Sequence, residues 1–216
     1  MSIKINLYDF FAYTVPGSLY LIATFYFCLI FGVLNLDWQL IRETIKDQSL
    51  LLIILSYLAG FTFDPISRYW YRRFAPLGLE KIMFDVFRVA HPDINVKFTP
   101  SDWNILHAFI RRQNIEEYSE IEKFNANKVM LRNTSFSLLL MSILTLLRGV
   151  MTSFYIWDFA VAVLLLCLSL ITGNQAAKFD KWFFLAIYET MAAYGIEASD
   201  FVPGKITSPK RGSTKK

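Results

Sequence analysis

Twenty-seven consecutive residues, Phe10 to Leu36, carry no charged side chain. A helix crosses the roughly 30 Å hydrocarbon core of a bilayer with about 20 apolar residues. This run is too long for a signal-peptide core, and no small-x-small cleavage pattern closes it. Pro16-Gly17 lies in its first third. Either the span kinks there, with neighbouring helices satisfying the freed carbonyl, or it starts at Gly17 with Tyr8–Val15 as an interfacial lead-in.

Three further apolar runs follow: Gln48–Phe63, Asn133–Leu147 and Phe159–Ala177. The first two are short for a bilayer. Arg132 and Arg148 flank the run from Asn133 and are expected to snorkel outward. Apolar residues make up 55% of the chain and charged residues 19%, against about 45–50% and 25% in a soluble domain. These features exclude a disordered chain, a disulfide-rich secreted domain and an ordinary soluble enzyme.

The expected fold is an all-α integral membrane protein with four transmembrane helices. Residues 1–63 hold spans one and two, at about 10–36 and 48–63. Residues 64–132 form a helical cytoplasmic module. Residues 133–177 hold spans three and four, at about 133–147 and 159–177. Residues 178–216 hold a cytoplasmic or interfacial helix and a basic disordered tail. Nineteen of the 22 Lys and Arg residues fall on the side of the termini and the 64–132 loop. The excess of basic residues on cytoplasmic loops therefore predicts cytoplasmic termini and a multi-pass protein of the cell inner membrane.

Within the module, Leu79, Ile82, Met83, Val86, Phe87 and Ala90 share one helix face. Thr99-Pro100-Ser101-Asp102 opens a second helix, on which Trp103, Leu106, His107 and Ile110 share a face. No Pro or Gly interrupts Ile115–Leu147, so one long helix is expected there. The apolar stretch Trp182–Tyr188 is too short to span. It must be buried in the headgroup layer or against the 78–112 helices.

Asp64 borders the second apolar run. Asp64-Pro65 matches an N-cap followed by a first helical residue, with Arg68 one turn on. The competing reading is an intramembrane acid on a proton or ion path, alongside Arg148. Arg68, Trp70, Arg72 and Arg73 interleave guanidinium groups with aromatic rings, the chemistry of interfacial anchors. Arg111 and Arg112 are a candidate partner or anion patch.

His91 and His107 lack the partners of a metal site, and Cys28 and Cys167 read as buried hydrophobes. No phosphate-binding loop, nucleophile elbow or zinc-protease motif appears. No catalytic group, metal, cofactor or direct nucleic-acid contact is expected.

The opening Tyr8-Asp9-Phe10-Phe11-Ala12-Tyr13-Thr14-Val15-Pro16-Gly17, the span ending Tyr57-Leu58-Ala59-Gly60 and the entry from Lys128 through Asn133 resemble small four-span bacterial inner-membrane proteins of anti-phage defence operons. The membrane component of the Kiwa system and retron-type membrane effectors are examples. The resemblance covers residues 8–73 and 125–147. It implies a role in antiviral defence and carries no catalytic residues over.

The function expected is a membrane scaffold or sensor-effector. It self-associates through its spans in the lipid bilayer and holds a soluble cytoplasmic protein partner. The alternative is a small transporter or channel subunit.

Overall fold

The structure, a computed structural model, describes residues 7–32, 48–94, 98–151 and 156–194. The Asp37–Asp47 connection and the basic tail from Pro203 lie outside the described residues. Six α-helices are described: α1 Leu7–Ile30, α2 Ser49–Tyr71, α3 Leu79–Ala90, α4 Trp103–Gln113, α5 Ile115–Met151 and α6 Ile156–Tyr194. A single 3-10 turn, Pro100–Asp102, precedes α4. Among the described residues there is no strand. Helices α1, α2, α5 and α6 are each long and apolar enough to cross a membrane. This is the architecture of a multi-pass membrane protein.

The contacts divide the chain into two units. One comprises Met1–Leu77 with Glu122–Asp180, the other Gly78–Ile121 with the stretch from Lys181. These limits differ from 64–132, for a local reason. The residues after Asp64 stay in α2, and Lys128, Arg132, Asn133 and Ser135 of α5 bond to α2 and α6 within the first unit.

The first unit is built inside out relative to a soluble protein. On α2 the buried residues are Ser56, Gly60, Asp64, Ser67 and Tyr71, one helical stripe of small and polar side chains. Leu50, Leu51, Ile54, Leu58 and Phe61 on the same helix are exposed. On α6 the small residues Ala162, Ser169 and Ala176 recur every seventh position and are buried, while Leu164 and Ile171 are exposed. Lipid exerts no hydrophobic drive between helices, so small residues and hydrogen bonds make the interfaces while apolar side chains face outward.

The helix pairs follow from that rule. An ideal Cβ on Gly17 would lie 1.7 Å from the Ser56 carbonyl oxygen, and one on Gly60 2.0 Å from that of Tyr13. Backbone therefore meets backbone between α1 and α2. Between α5 and α6, Ser135 Oγ donates to the Ser169 carbonyl at 2.7 Å, and Ser169 Oγ donates to the Ser135 carbonyl at 2.7 Å. Ser142 Oγ donates to the Ala162 carbonyl at 2.8 Å one heptad further.

The second unit has an ordinary apolar core. Met83, Phe84 and Phe87 of α3 and Leu106 and Ile110 of α4 close around Phe183, Ile187, Tyr188 and Met191 of α6. Tyr188 stacks on Phe98 at 6.0 Å, and its hydroxyl donates to the Glu80 carbonyl at 3.1 Å. The Trp182–Tyr188 stretch is thus the end of α6, not a separate helix, and it packs against the 78–112 helices. Asp102 carboxylate oxygen Oδ2 accepts from the Thr99 amide at 2.8 Å and hydroxyl at 2.7 Å. Asn114 Oδ1 accepts the Glu116 amide at 2.9 Å, capping the start of α5.

The face expected on α3 is displaced. Leu79, Met83, Phe84 and Phe87 are buried, whereas Ile82, Val86 and Val89 are exposed. The apolar arc of this helix is wider than the surface that α4 and α6 cover.

Candidate functional site

Helix α2 runs unbroken through Asp64-Pro65. The N-cap reading of Asp64 is therefore overturned. Proline removes one amide and its hydrogen bond, a loss that packing against neighbouring helices absorbs in a membrane. Asp64 instead turns its carboxylate inward, with its side chain 6% exposed. Arg68 reaches it from the next turn, Nε to Oδ2 at 2.9 Å and Nη2 to Oδ2 at 2.8 Å. From α5, Arg132 Nη2 donates to Oδ1, and Asn133 Nδ2 donates to the same oxygen at 3.2 Å.

Arg132 is accordingly not a snorkelling flank. It is buried, because an acid within the protein is a better counter-ion than a distant headgroup. Asn133 is fully buried and joins three helices. The Ser67 hydroxyl of α2 faces Asn133 Oδ1, and the Tyr20 hydroxyl of α1 donates to the Asn133 carbonyl at 2.9 Å.

A second cluster lies along the same stripes. Tyr71 is seven residues beyond Asp64 on α2, and Lys128 one turn before Arg132 on α5. Both meet Asp180 of α6: the Tyr71 hydroxyl donates to Oδ2 at 2.9 Å and Lys128 Nζ to Oδ1 at 3.2 Å. Trp70 Nε1 donates to Ser135 Oγ at 3.0 Å, linking α2 to the serine pair. All four long helices are thus joined by buried polar contacts. Removing one partner of a buried ion pair costs about 3–5 kcal/mol, because the other charge stays behind in a low-dielectric interior.

The other expected site residues are placed as follows. Arg68 is exposed, with two of its donors on Asp64, and Trp70 donates to Ser135 inside the first unit. Arg73 lies over the Trp70 ring, 5.6 Å from its centroid. Arg72 is exposed. Arg148, near the end of α5, is hydrogen-bonded to Tyr26. Arg111 and Arg112 are exposed in the second unit, with Arg111 5.5 Å from the Tyr118 ring centroid. Among the described residues no cluster of His, Cys, Asp and Glu could hold a metal.

Sequence reasoning missed Tyr20, Ser67, Tyr71, Lys128, Asn133 and Asp180. The signal was present as helical spacing: Asp64, Ser67 and Tyr71 on one face, Lys128 and Arg132 on another. Reading Pro65 as a helix start hid the first, and assigning Arg132 to the headgroups hid the second. Comparison with protein-family models, with curated proteins and with solved structures returns no match.

Proposed function

We propose that this protein is a multi-pass membrane scaffold, its four helices locked together by the buried network and its second unit serving as the docking module for a soluble protein. The observation that carries this reading is the pairing of Asp64. A guanidinium keeps its charge at any physiological pH. A carboxylate held by Arg68, Arg132 and Asn133 acts as a fixed internal counter-ion, a poor carrier for a moving ion. Asp180 is likewise held inside the first unit, by Lys128 and Tyr71.

The second unit supports the docking role. It has its own core, yet α3 presents Ile82, Val86 and Val89 to the exterior, Val89 being 82% exposed. Arg111 and Arg112 supply charge on α4. The asymmetry of basic residues supports cytoplasmic placement of this module and of both termini, in the inner membrane. Self-association through the spans and a setting in antiviral defence belong to the same proposal, the latter resting on the resemblance of residues 8–73 and 125–147.

The test is recovery of partners from gently solubilised membranes. Arg111→Glu with Arg112→Glu should leave insertion intact, reduce recovered partner, and change the salt dependence of what remains, since salt then screens a repulsion instead of an attraction. Purified wild-type protein that moves ions or solute across liposomes, together with unchanged recovery in the double reversal, would overturn the scaffold and favour the transporter or channel reading.

A further inference from the structure

We infer that Arg72 and Arg73, at the end of α2, form a binding site for the phosphodiester of an anionic lipid headgroup. Between Pro65 and Gly78 the only charged residues are Arg68, Arg72 and Arg73. The structure divides these three. Arg68 turns two of its donors onto Asp64. Arg72 has no side-chain partner among the described residues, and Arg73 has only the face of Trp70. Asp64 is held by Arg68 and Arg132, and Asp180 by Lys128 and Tyr71.

Three features hold the pair ready for a phosphate. Trp70 is anchored by its bond to Ser135, so the ring beneath Arg73 is fixed and limits the rotamers of that guanidinium. The final carbonyls of α2 are taken up locally: that of Trp70 accepts from the Arg73 amide at 3.2 Å, and that of Tyr71 from the Phe74 amide at 2.9 Å. The negative end of the helix dipole is thereby partly satisfied, which lessens its opposition to an anion. Finally, an arginine fork matches two phosphate oxygens at once.

The surroundings choose between a lipid phosphate and a free one. The exposed face of α2 carries no charged side chain up to Ile66 and includes Leu50, Leu58, Phe61 and Ile66. Arg72 lies about 9 Å further along the axis than Ile66, at 1.5 Å per residue. That spacing fits the step from hydrocarbon to headgroup. Tyr69, 74% exposed, and Leu77, 91% exposed, flank the arginines. A free phosphate has no use for such neighbours, whereas a lipid covers them with glycerol and acyl carbons.

The experiment is native mass spectrometry of the full chain released from nanodiscs of phosphatidylglycerol and phosphatidylcholine, mixed equally. The wild type should retain phosphatidylglycerol preferentially. Arg72→Gln with Arg73→Gln should lose about fivefold in retention for each arginine. Lys81→Gln with Arg88→Gln, which removes the same charge at exposed positions of α3, should keep the preference. Arg72→Lys with Arg73→Lys should retain an intermediate preference, separating a lost fork from a lost fold. Equal retention of the two lipids by the wild type, or a preference that survives the Arg72 and Arg73 glutamines, overturns the site. Displacement of the lipid by millimolar inorganic phosphate, bound one per chain, overturns the lipid source and assigns a free phosphate.

Discussion

Replacing Gly17 by alanine places a methyl group where the Ser56 carbonyl already stands. The built Cβ lies 1.7 Å from that oxygen and 2.6 Å from its carbon. Both are backbone atoms in a helix, so no side-chain rotation relieves the clash. Moving the contact from 1.7 Å out to 3.0 Å, the shortest separation real Cβ atoms tolerate, opens α1 from α2 by at least 1.3 Å. For Gly60 the move from 2.0 Å to 3.0 Å requires 1.0 Å.

A gap of about 1 Å forfeits up to about half of the dispersion energy of the contacts it opens. Overpacking a tight interface typically costs about 1–3 kcal/mol. Gly17→Ala should lie at the upper end, about 3 kcal/mol, and Gly60→Ala somewhat lower. The two costs should not add. Once the helices have parted by 1.3 Å for the first methyl, the second finds most of its room already made. The double variant should therefore cost clearly less than the two singles together. Reversible unfolding in mixed micelles, run as a double-mutant cycle, measures all three. A Gly17→Ala protein within 0.5 kcal/mol of wild type, or strict additivity, would refute the backbone-to-backbone contact.

Asp64→Asn should cost about 3–5 kcal/mol in the same assay because it strands the buried Arg132, and Asp64→Leu combined with Arg132→Leu should recover much of that loss; a mild Asp64→Asn would restore the helix-cap reading. Ser169→Ala should cost about 0.6 kcal/mol, typical of a hydrogen bond between membrane helices, and Ser135→Ala more, because it also removes the acceptor of the Trp70 indole.

The number of spans was legible in the chain because crossing a bilayer depends on length and charge alone. Four charge-poor runs predict four helices, and α1, α2, α5 and α6 are those helices. The unbroken course of α5 was equally readable, since no Pro or Gly interrupts Ile115–Leu147. The core positions Leu106 and Ile110 followed from helical spacing, because α4 is amphipathic and its apolar side turns into the core of the second unit.

In the membrane-crossing unit that guide disappears. Lipid is as apolar as leucine, so hydropathy does not say which side of α2 or α6 faces a neighbour. Asp64, Pro65 and Arg132 each had a local reading, as cap, helix start and headgroup anchor. Each was displaced by a partner more than sixty residues away or by the continuity of a packed helix. Run length thus determined that the chain has four helices long and apolar enough to cross a membrane. Only tertiary structure decided that its buried charges bind one another, because an ion pair in a low-dielectric interior depends on which helices come to lie side by side.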